Sequence, residues 1–274
     1  MVNELLFNEI NLVEKFLFSY IDDSNSIYDS LLKFLKSPSK RIRSKLAILY
    51  LKANNSAITD EMLSIMAICE LIHNASLIHD DIIDSSPKRR GMETIETIFS
   101  TDVAVLCGDY LLSLAAEQLL KLQNPAVLNL FFNCTKQMAD AEIKQNLYKG
   151  KLPDENLYIE ICRGKTACLF EALLESVALS SGLNKDNAKL LGQKFGIIFQ
   201  IQNDLEPISA QKDRKNNLYT AINIFGVEKT NDLIDNYFEE MRELINNYPE
   251  NQYKQALEDL IKELCSTKKN LKQM

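Results

Sequence analysis

The sequence predicts an all-α protein, and three observations carry that prediction. Helix formers (Leu, Lys, Glu and Ala) dominate the chain. Glycine and proline, 8 and 6 copies in 274 residues, fall well below their usual shares of ~7% and ~5%, which argues against collagen-like and turn-rich β architectures. Apolar residues recur at three- and four-residue spacing, and no segment sustains period-2 alternation. Hydrophobic residues at 46% and charged residues at 25% are the proportions of a globular chain able to bury a sizeable core.

The elements follow in order. Leu5, Phe7, Ile10, Leu12, Val13, Phe16, Leu17 and Tyr20 form one face of a first helix. After Pro38, the basic run Lys40-Arg41-Ile42-Arg43 opens another. Cations at a helix N-terminus oppose the macrodipole, so this run is either a solvated helix start or the seat of an anionic partner. The segment from Met62 to Ile78 is apolar almost all round and predicts a central, buried helix. Near the C-terminus, Leu233, Ile234, Tyr237, Phe238, Met241, Leu244 and Ile245 give a surface-type helix, and Ala256, Leu257, Leu260, Ile261 and Leu264 give the last. No linker, repeat or compositional break interrupts the chain. The expectation is one domain over 1–274, a large bundle of about ten helices with loops near the prolines.

Charge and cysteine usage restrict the partners. Asp and Glu total 38 against 31 Lys and Arg, so the global basic field of a nucleic-acid binder is missing and an anionic ligand must meet a local cluster. The N-terminus carries Glu4 and no basic region before an apolar stretch, so no signal peptide is expected. The longest uncharged run, Leu122 to Thr135, is shorter than the ~20 apolar residues of a membrane span, and no stable membrane insertion is expected. The six cysteines include no CxxC pair and sit in apolar helical patterns, as reduced thiols of a cytoplasmic protein do.

The chemistry concentrates between His73 and Asp84. On a helix Asp80 and Asp84 share a face and Asp81 lies one step around. Three like charges repel, and a helix C-terminus disfavours anions. A divalent cation would relieve both, and oxygen-only donors suit Mg²⁺ or Mn²⁺. Taken alone, the same triplet is equally a solvated helix end before the turn at Pro87. Lys88, Arg89, Arg90 and Gly91 follow at once. They could be surface salt-bridge partners worth roughly 0–1 kcal/mol each. They could also complete a phosphate site, with guanidinium groups clamping oxygens that a metal bridges. Both histidines fall in this segment; two cannot build a three-His zinc site. His79 reads as a core group, whereas His73, two turns before the aspartates, can reach a second anion.

Taken in chain order, these residues resemble the trans-polyprenyl diphosphate synthases, of the long-chain, octaprenyl type. The resemblance runs through Ser39-Lys40-Arg41-Ile42-Arg43, Glu70 to Asp84, Arg89-Arg90-Gly91, Ala104 to Leu112, Glu142 with Gln145, Lys165-Thr166-Ala167 and Phe199-Gln200-Ile201. It implies a helical bundle of the isoprenoid synthase type with a central cavity, usually homodimeric. The implied reaction condenses isopentenyl diphosphate with an allylic diphosphate such as farnesyl diphosphate, with Mg²⁺ as cofactor. By the same resemblance Asp80, Asp81 and Asp84 bind the metal and the allylic diphosphate, with Arg89 and Lys165 on its oxygens. Lys40, Arg43, His73 and Arg90 hold isopentenyl diphosphate, and Thr166 and Gln200 face the allylic cation. The family's chain-length wall falls on Ala75 and Ser76, both small. A growing tail could pass along Ile72, Leu71 and Ile68, gaining ~0.8 kcal/mol per buried CH₂, until Phe131 or Phe132, otherwise ordinary core aromatics, stops it. A long-chain product, such as a quinone side-chain precursor, is the expectation.

The sequence also departs from that pattern. Where the family shows a second DDxxD, this chain has Asn203-Asp204-Leu205-Glu206-Pro207, which leaves Asp204 as the matching metal ligand. The lysine-bearing lid beyond it shortens to residues 211–217, with Lys215 as its phosphate contact. Other readings therefore stay open. One is a catalytically weak subunit of a heteromeric synthase, and another is a short-chain farnesyl or geranylgeranyl diphosphate synthase. A terpene cyclase usually lacks the isopentenyl diphosphate site that Lys40, Arg43 and His73 suggest, and a helical adaptor leaves the clustered aspartates unexplained.

Overall fold

The structure, a computed structural model, describes residues 2–21, 26–206 and 216–265. Among these residues it is helical apart from one short hairpin and the connecting turns, and the chain divides into two compact units. The first comprises residues 1–48 and 58–128, the second residues 49–57 and 129–274.

The first unit holds α1 (Val2–Leu5), α2 (Phe7–Ser19), α3 (Ser26–Lys36), the start of α4 (Ile42–Ala53), α5 (Asp60–Ile83), α6 (Ile95–Ile98) and α7 (Thr101–Lys121). Its centre is α5, as the apolar run predicts. Thr59 caps the helix, its hydroxyl accepting from the Met62 N–H at 3.3 Å, and Asp60 and Glu61 complement the dipole in the first turn. From Met62 to Ile72 every residue is buried, and α2 and α7 pack against this surface. His79 lies against Gly108 of α7, where any added side-chain carbon would collide with the imidazole. Both α5 and α7 are long and apolar enough to cross a membrane by length and composition, but 78% of the α5 window is spent in the protein interior.

Between α5 and α6 the expected loop at Pro87 is a hairpin. Strand β1 (Lys88–Arg89) pairs antiparallel with β2 (Met92–Glu93). Its turn residues, Arg90 and Gly91, both have positive φ, at 51° and 81°. Two consecutive positive φ values suit the twist of a two-residue hairpin, and glycine supplies the second without steric cost.

The second unit holds the end of α4, most of α8 (Pro125–Leu147), α9 (Glu155–Cys162), α10 (Cys168–Ser181), α11 (Lys185–Leu205), α12 (Ala221–Asn246) and α13 (Gln252–Cys265). Pro125 is the first helical residue of α8, where its missing N–H costs nothing. Helices α10 and α11 form the core pair, with Phe170 against Phe195 and Phe199 at ring distances of 5.3 and 5.7 Å. Gly192 permits the close approach, since a side-chain carbon there would strike the Phe170 backbone of α10. One element is absent from the sequence reading: Arg163–Ala167 is a π-helical turn between α9 and α10. All six cysteines lie among the described residues, buried and without a disulfide.

Candidate functional site

The sequence-predicted residues collect into two constellations, one in each unit. In the first unit, the last turn of α5 carries the three aspartates. Asp81 is 2% exposed and Arg89 closes on it from the hairpin, with Nε 2.7 and 2.9 Å from the two carboxylate oxygens and Nη2 2.6 Å from Oδ1. A fork of this kind combines charge with fixed geometry. Asp80 and Asp84 are half-buried, and the Asp84 N–H donates to the Asp80 carbonyl at 2.9 Å as it caps the helix. Among the described residues, no three His, Cys, Asp or Glu side chains converge as a ready metal cage. The donors present still fit a hard cation. Magnesium characteristically takes one or two carboxylates and completes its shell with water and substrate phosphate, and Asp80 and Asp84 share one face of a helix end.

The basic run divides its labour. Arg41 turns inward: Nε donates to Glu14 at 3.0 Å, Nη1 to Glu70 at 3.1 Å and Nη2 to the Leu35 carbonyl at 2.7 Å. The Ser44 hydroxyl adds a 2.9 Å bond to the other Glu70 oxygen. Arg41 is thus structural, and Glu70, a charge in the apolar middle of α5, is its counterion. Lys40 is exposed and Arg43 is buried. Helix α4 has no acidic residue in its first turn, so its N-terminal dipole is left for an anion. Arg90 donates to the Ser37 hydroxyl at 3.0 Å and lies 6.0 Å over the Phe34 ring.

His73 senses this environment. Burial pushes its pKa well below the usual 6.5, and Arg43, Arg90, Arg89 and Arg41 push it further. It is a neutral imidazole among cations, able to donate one N–H to an anion. His79 departs from the expectation of a core group: its side chain is 30% exposed, with Nε2 3.4 Å from both the Val105 carbonyl and Asp109 Oδ1. Ala75 is fully buried on α5 and Ser76 half-buried, its hydroxyl donating to the His73 carbonyl at 2.8 Å.

In the second unit, the π-turn presents Lys165 and Thr166. The Lys165 ammonium lies 2.5 Å from Glu142. The Thr166 hydroxyl donates to Gln200 Oε1 at 2.6 Å, and Gln200 Nε2 donates to Asp204 Oδ1 at 2.8 Å. The Tyr158 hydroxyl donates to Asp204 Oδ2 at 2.5 Å. Asp204, expected as a metal ligand, is buried within this chain of bonds. Asn203 is half-buried, and Glu206 is exposed where α11 ends. Phe131 is fully buried and Phe132 half-exposed. Lys215 and Pro207 lie outside the described residues.

The residue that sequence reasoning missed is Tyr158. Its signal was available: it stands seven residues, two helical turns, before Lys165, on the same face of an α-helix. The π-turn has no such signal: Gly164 weakens helix at that point, but nothing in Arg163–Ala167 marks a change of hydrogen-bond register.

Residues 24–264 match the family model described as "Polyprenyl synthetase". A prenyl transferase of Cyanophora paradoxa is 33% identical over 83% of this chain and 75% of its own length. A short chain isoprenyl diphosphate synthase of Methanocaldococcus jannaschii is 29% identical over 75% of this chain and 65% of its own. A decaprenyl-diphosphate synthase of Dictyostelium discoideum is 32% identical over 63% of this chain, which spans only 38% of that protein. The crystal structure of a decaprenyl diphosphate synthase from Rhodobacter capsulatus has the same fold, with a TM-score of 0.87 at 22% identity, over 97% of this chain and 98% of that one.

Proposed function

Because the chain belongs to the polyprenyl synthetase family, we propose that it is a prenyltransferase that joins isopentenyl diphosphate to an allylic diphosphate such as farnesyl diphosphate. Its product is then a long-chain all-trans polyprenyl diphosphate of the kind that supplies quinone side chains. The observation that carries this reading is the end of α5, where Asp80, Asp81 and Asp84 meet Arg89 of the hairpin, its Nε 2.7 Å from Asp81, in the unit that also holds Arg43, His73 and Arg90. Such a cluster is costly to assemble and suits ligands with the concentrated charge of diphosphates.

The reaction breaks an allylic C–O bond, leaving an allylic cation and a diphosphate. Asp80 and Asp84, with Asp81, are the carboxylates for Mg²⁺, which when bound neutralises the departing charge. In the resting structure Asp81 is committed to Arg89, so Arg89 reaches a phosphate oxygen only by sharing or leaving that carboxylate. Lys40, Arg43, His73 and Arg90 hold the isopentenyl diphosphate, with His73 donating an N–H rather than a charge. Lys165 contacts the allylic diphosphate, Lys215 adds a phosphate contact, and Thr166 and Gln200 face the cation. The proton lost at the end passes to the released diphosphate. Small residues at Ala75 and Ser76 support a long product over the short-chain alternative. We also place in this proposal a single catalytic domain over 1–274, a homodimer, a cytoplasmic location and Mn²⁺ as a substitute metal.

The purified protein, incubated with farnesyl diphosphate, isopentenyl diphosphate and MgCl₂, should yield a ladder of products ending at a long chain. Products stopping after one condensation, at about 20 carbons, would replace the length assignment with a short-chain one. Turnover only with an added partner would make the chain a subunit, and a cyclic hydrocarbon from farnesyl diphosphate alone would make it a cyclase.

A further inference from the structure

The second acidic motif does not have the form of a cation site. Asn203 is neutral, Glu206 is exposed beyond the last turn of α11, and both oxygens of Asp204 receive hydrogen bonds from buried or half-buried donors. Each Asp204 oxygen already accepts one hydrogen bond, from Tyr158 Oη at 2.5 Å and from Gln200 Nε2 at 2.8 Å, so a metal here would have a single buried carboxylate, shared with two donors and joined by no second acid of the motif. The bonds continue without a gap to Thr166, whose hydroxyl donates to the other end of the Gln200 amide at 2.6 Å. Four side chains from α9, the π-turn and α11 thus form one directed chain.

We propose that this motif acts as a hydrogen-bonded clamp instead of a metal site, with Tyr158 as the positioning residue that fixes Asp204, and through it the Gln200 amide and the Thr166 hydroxyl. The inference rests on the prenyl-transfer reading for its catalytic consequence, since Gln200 and Thr166 are the groups placed near the allylic cation. Dipoles already oriented when charge develops need no reorganisation during the reaction, and a buried carboxylate holding them adds a fixed negative charge. Tyr158 is suited to the anchor. It is 5% exposed, its ring meets Phe225 edge-on at 5.5 Å, and burial beside Cys162 and Asp204 raises its pKa so that it stays a donor. Metal binding then belongs to the first motif.

Two measurements test the clamp. The first uses Mn²⁺ with inorganic pyrophosphate, counting bound ions by electron paramagnetic resonance. Asp204→Asn should bind the same number of ions as the native protein with affinity within about twofold, whereas Asp80→Ala should lose binding. A lost ion or a tenfold weakening in Asp204→Asn would overturn the proposal. The second uses prenyl transfer. Tyr158→Phe should lower kcat about tenfold while KM for both substrates and the Mg²⁺ half-saturation stay put, and adding Asp204→Asn should cost little more because the two act as a unit. An unchanged kcat, or losses that multiply, would overturn it. If Tyr158→Phe does not fold, Asp204→Asn alone breaks the same chain at its centre and should give the same kcat loss with KM and the ion count unchanged, and an unchanged kcat would overturn the clamp. Absence of any prenyl transfer by the native protein would sink the functional reading alone, and the ion count would still decide the clamp.

Discussion

Asp81 and Arg89 show how much one carboxylate does in this protein. The pair is a bidentate fork with the acid 2% exposed and the guanidinium 22% exposed on its side chain. Removing one partner of such a pair leaves the other without compensation. Asp81→Ala should therefore lower unfolding free energy by about 3 kcal/mol, read from urea denaturation, besides reducing prenyl transfer by orders of magnitude. Full stability in that variant would show that the pair is incidental. His73 gives a second prediction. Its folded pKa lies well below 6.5, so below pH 6.5 the unfolded chain binds a proton that the folded chain refuses. Its contribution is complete above about pH 6.5 and is lost as the pH falls toward the folded value. The urea midpoint should drop between pH 7.5 and 5.5, and His73→Gln should flatten that drop. Both residues were legible in the sequence as members of a motif. Their partners were less so, because Arg89 reaches Asp81 by way of a hairpin turn that helical periodicity does not register, and the buried arginines around His73 come from separate segments.

Among the elements, α5 was the most legible. A run that is apolar on every side has to be interior, and the acids at its end are consequently placed at a defined edge. The chain-length wall proposed for that helix falls on two residues of different burial. Ala75 is fully buried, so a tyrosine there would overpack the core and cost 1–3 kcal/mol or more by the general rule. Ser76 is half-buried and is the better probe. Ser76→Phe should shorten the prenyl product while leaving the melting temperature near that of the native protein; an unchanged product ladder would remove this position from the wall. The hairpin and the π-turn escaped the sequence reading for opposite reasons. The first is too short to show alternation, with two residues per strand. The second differs from α-helix in the register of its backbone bonds, which its one helix-weakening residue, Gly164, does not reveal.

At the scale of the molecule, the helical class followed from composition and spacing, and the family from an ordered set of short motifs spread over most of the chain. What the eroded second motif does was not legible, because identical letters serve a metal or a hydrogen bond and only the neighbours decide. Among the described residues no cage of three or more His, Cys, Asp or Glu side chains exists to hold the fold together. Chelation by EDTA should therefore stop prenyl transfer while leaving the thermal transition in place, with activity returning on addition of MgCl₂. A collapse of the melting temperature on chelation would contradict this separation of folding from cofactor.

The extra backbone residue accommodated by Arg163–Ala167 has a consequence for heredity. Loss of a single codon within those five would let the two flanking helices fuse into one regular rod, swinging Tyr158 about 100° away from everything downstream. The descendant would still be a helical protein of nearly the same length, yet the Tyr158 hydroxyl that now meets Asp204 and the side chains after the turn would be out of phase.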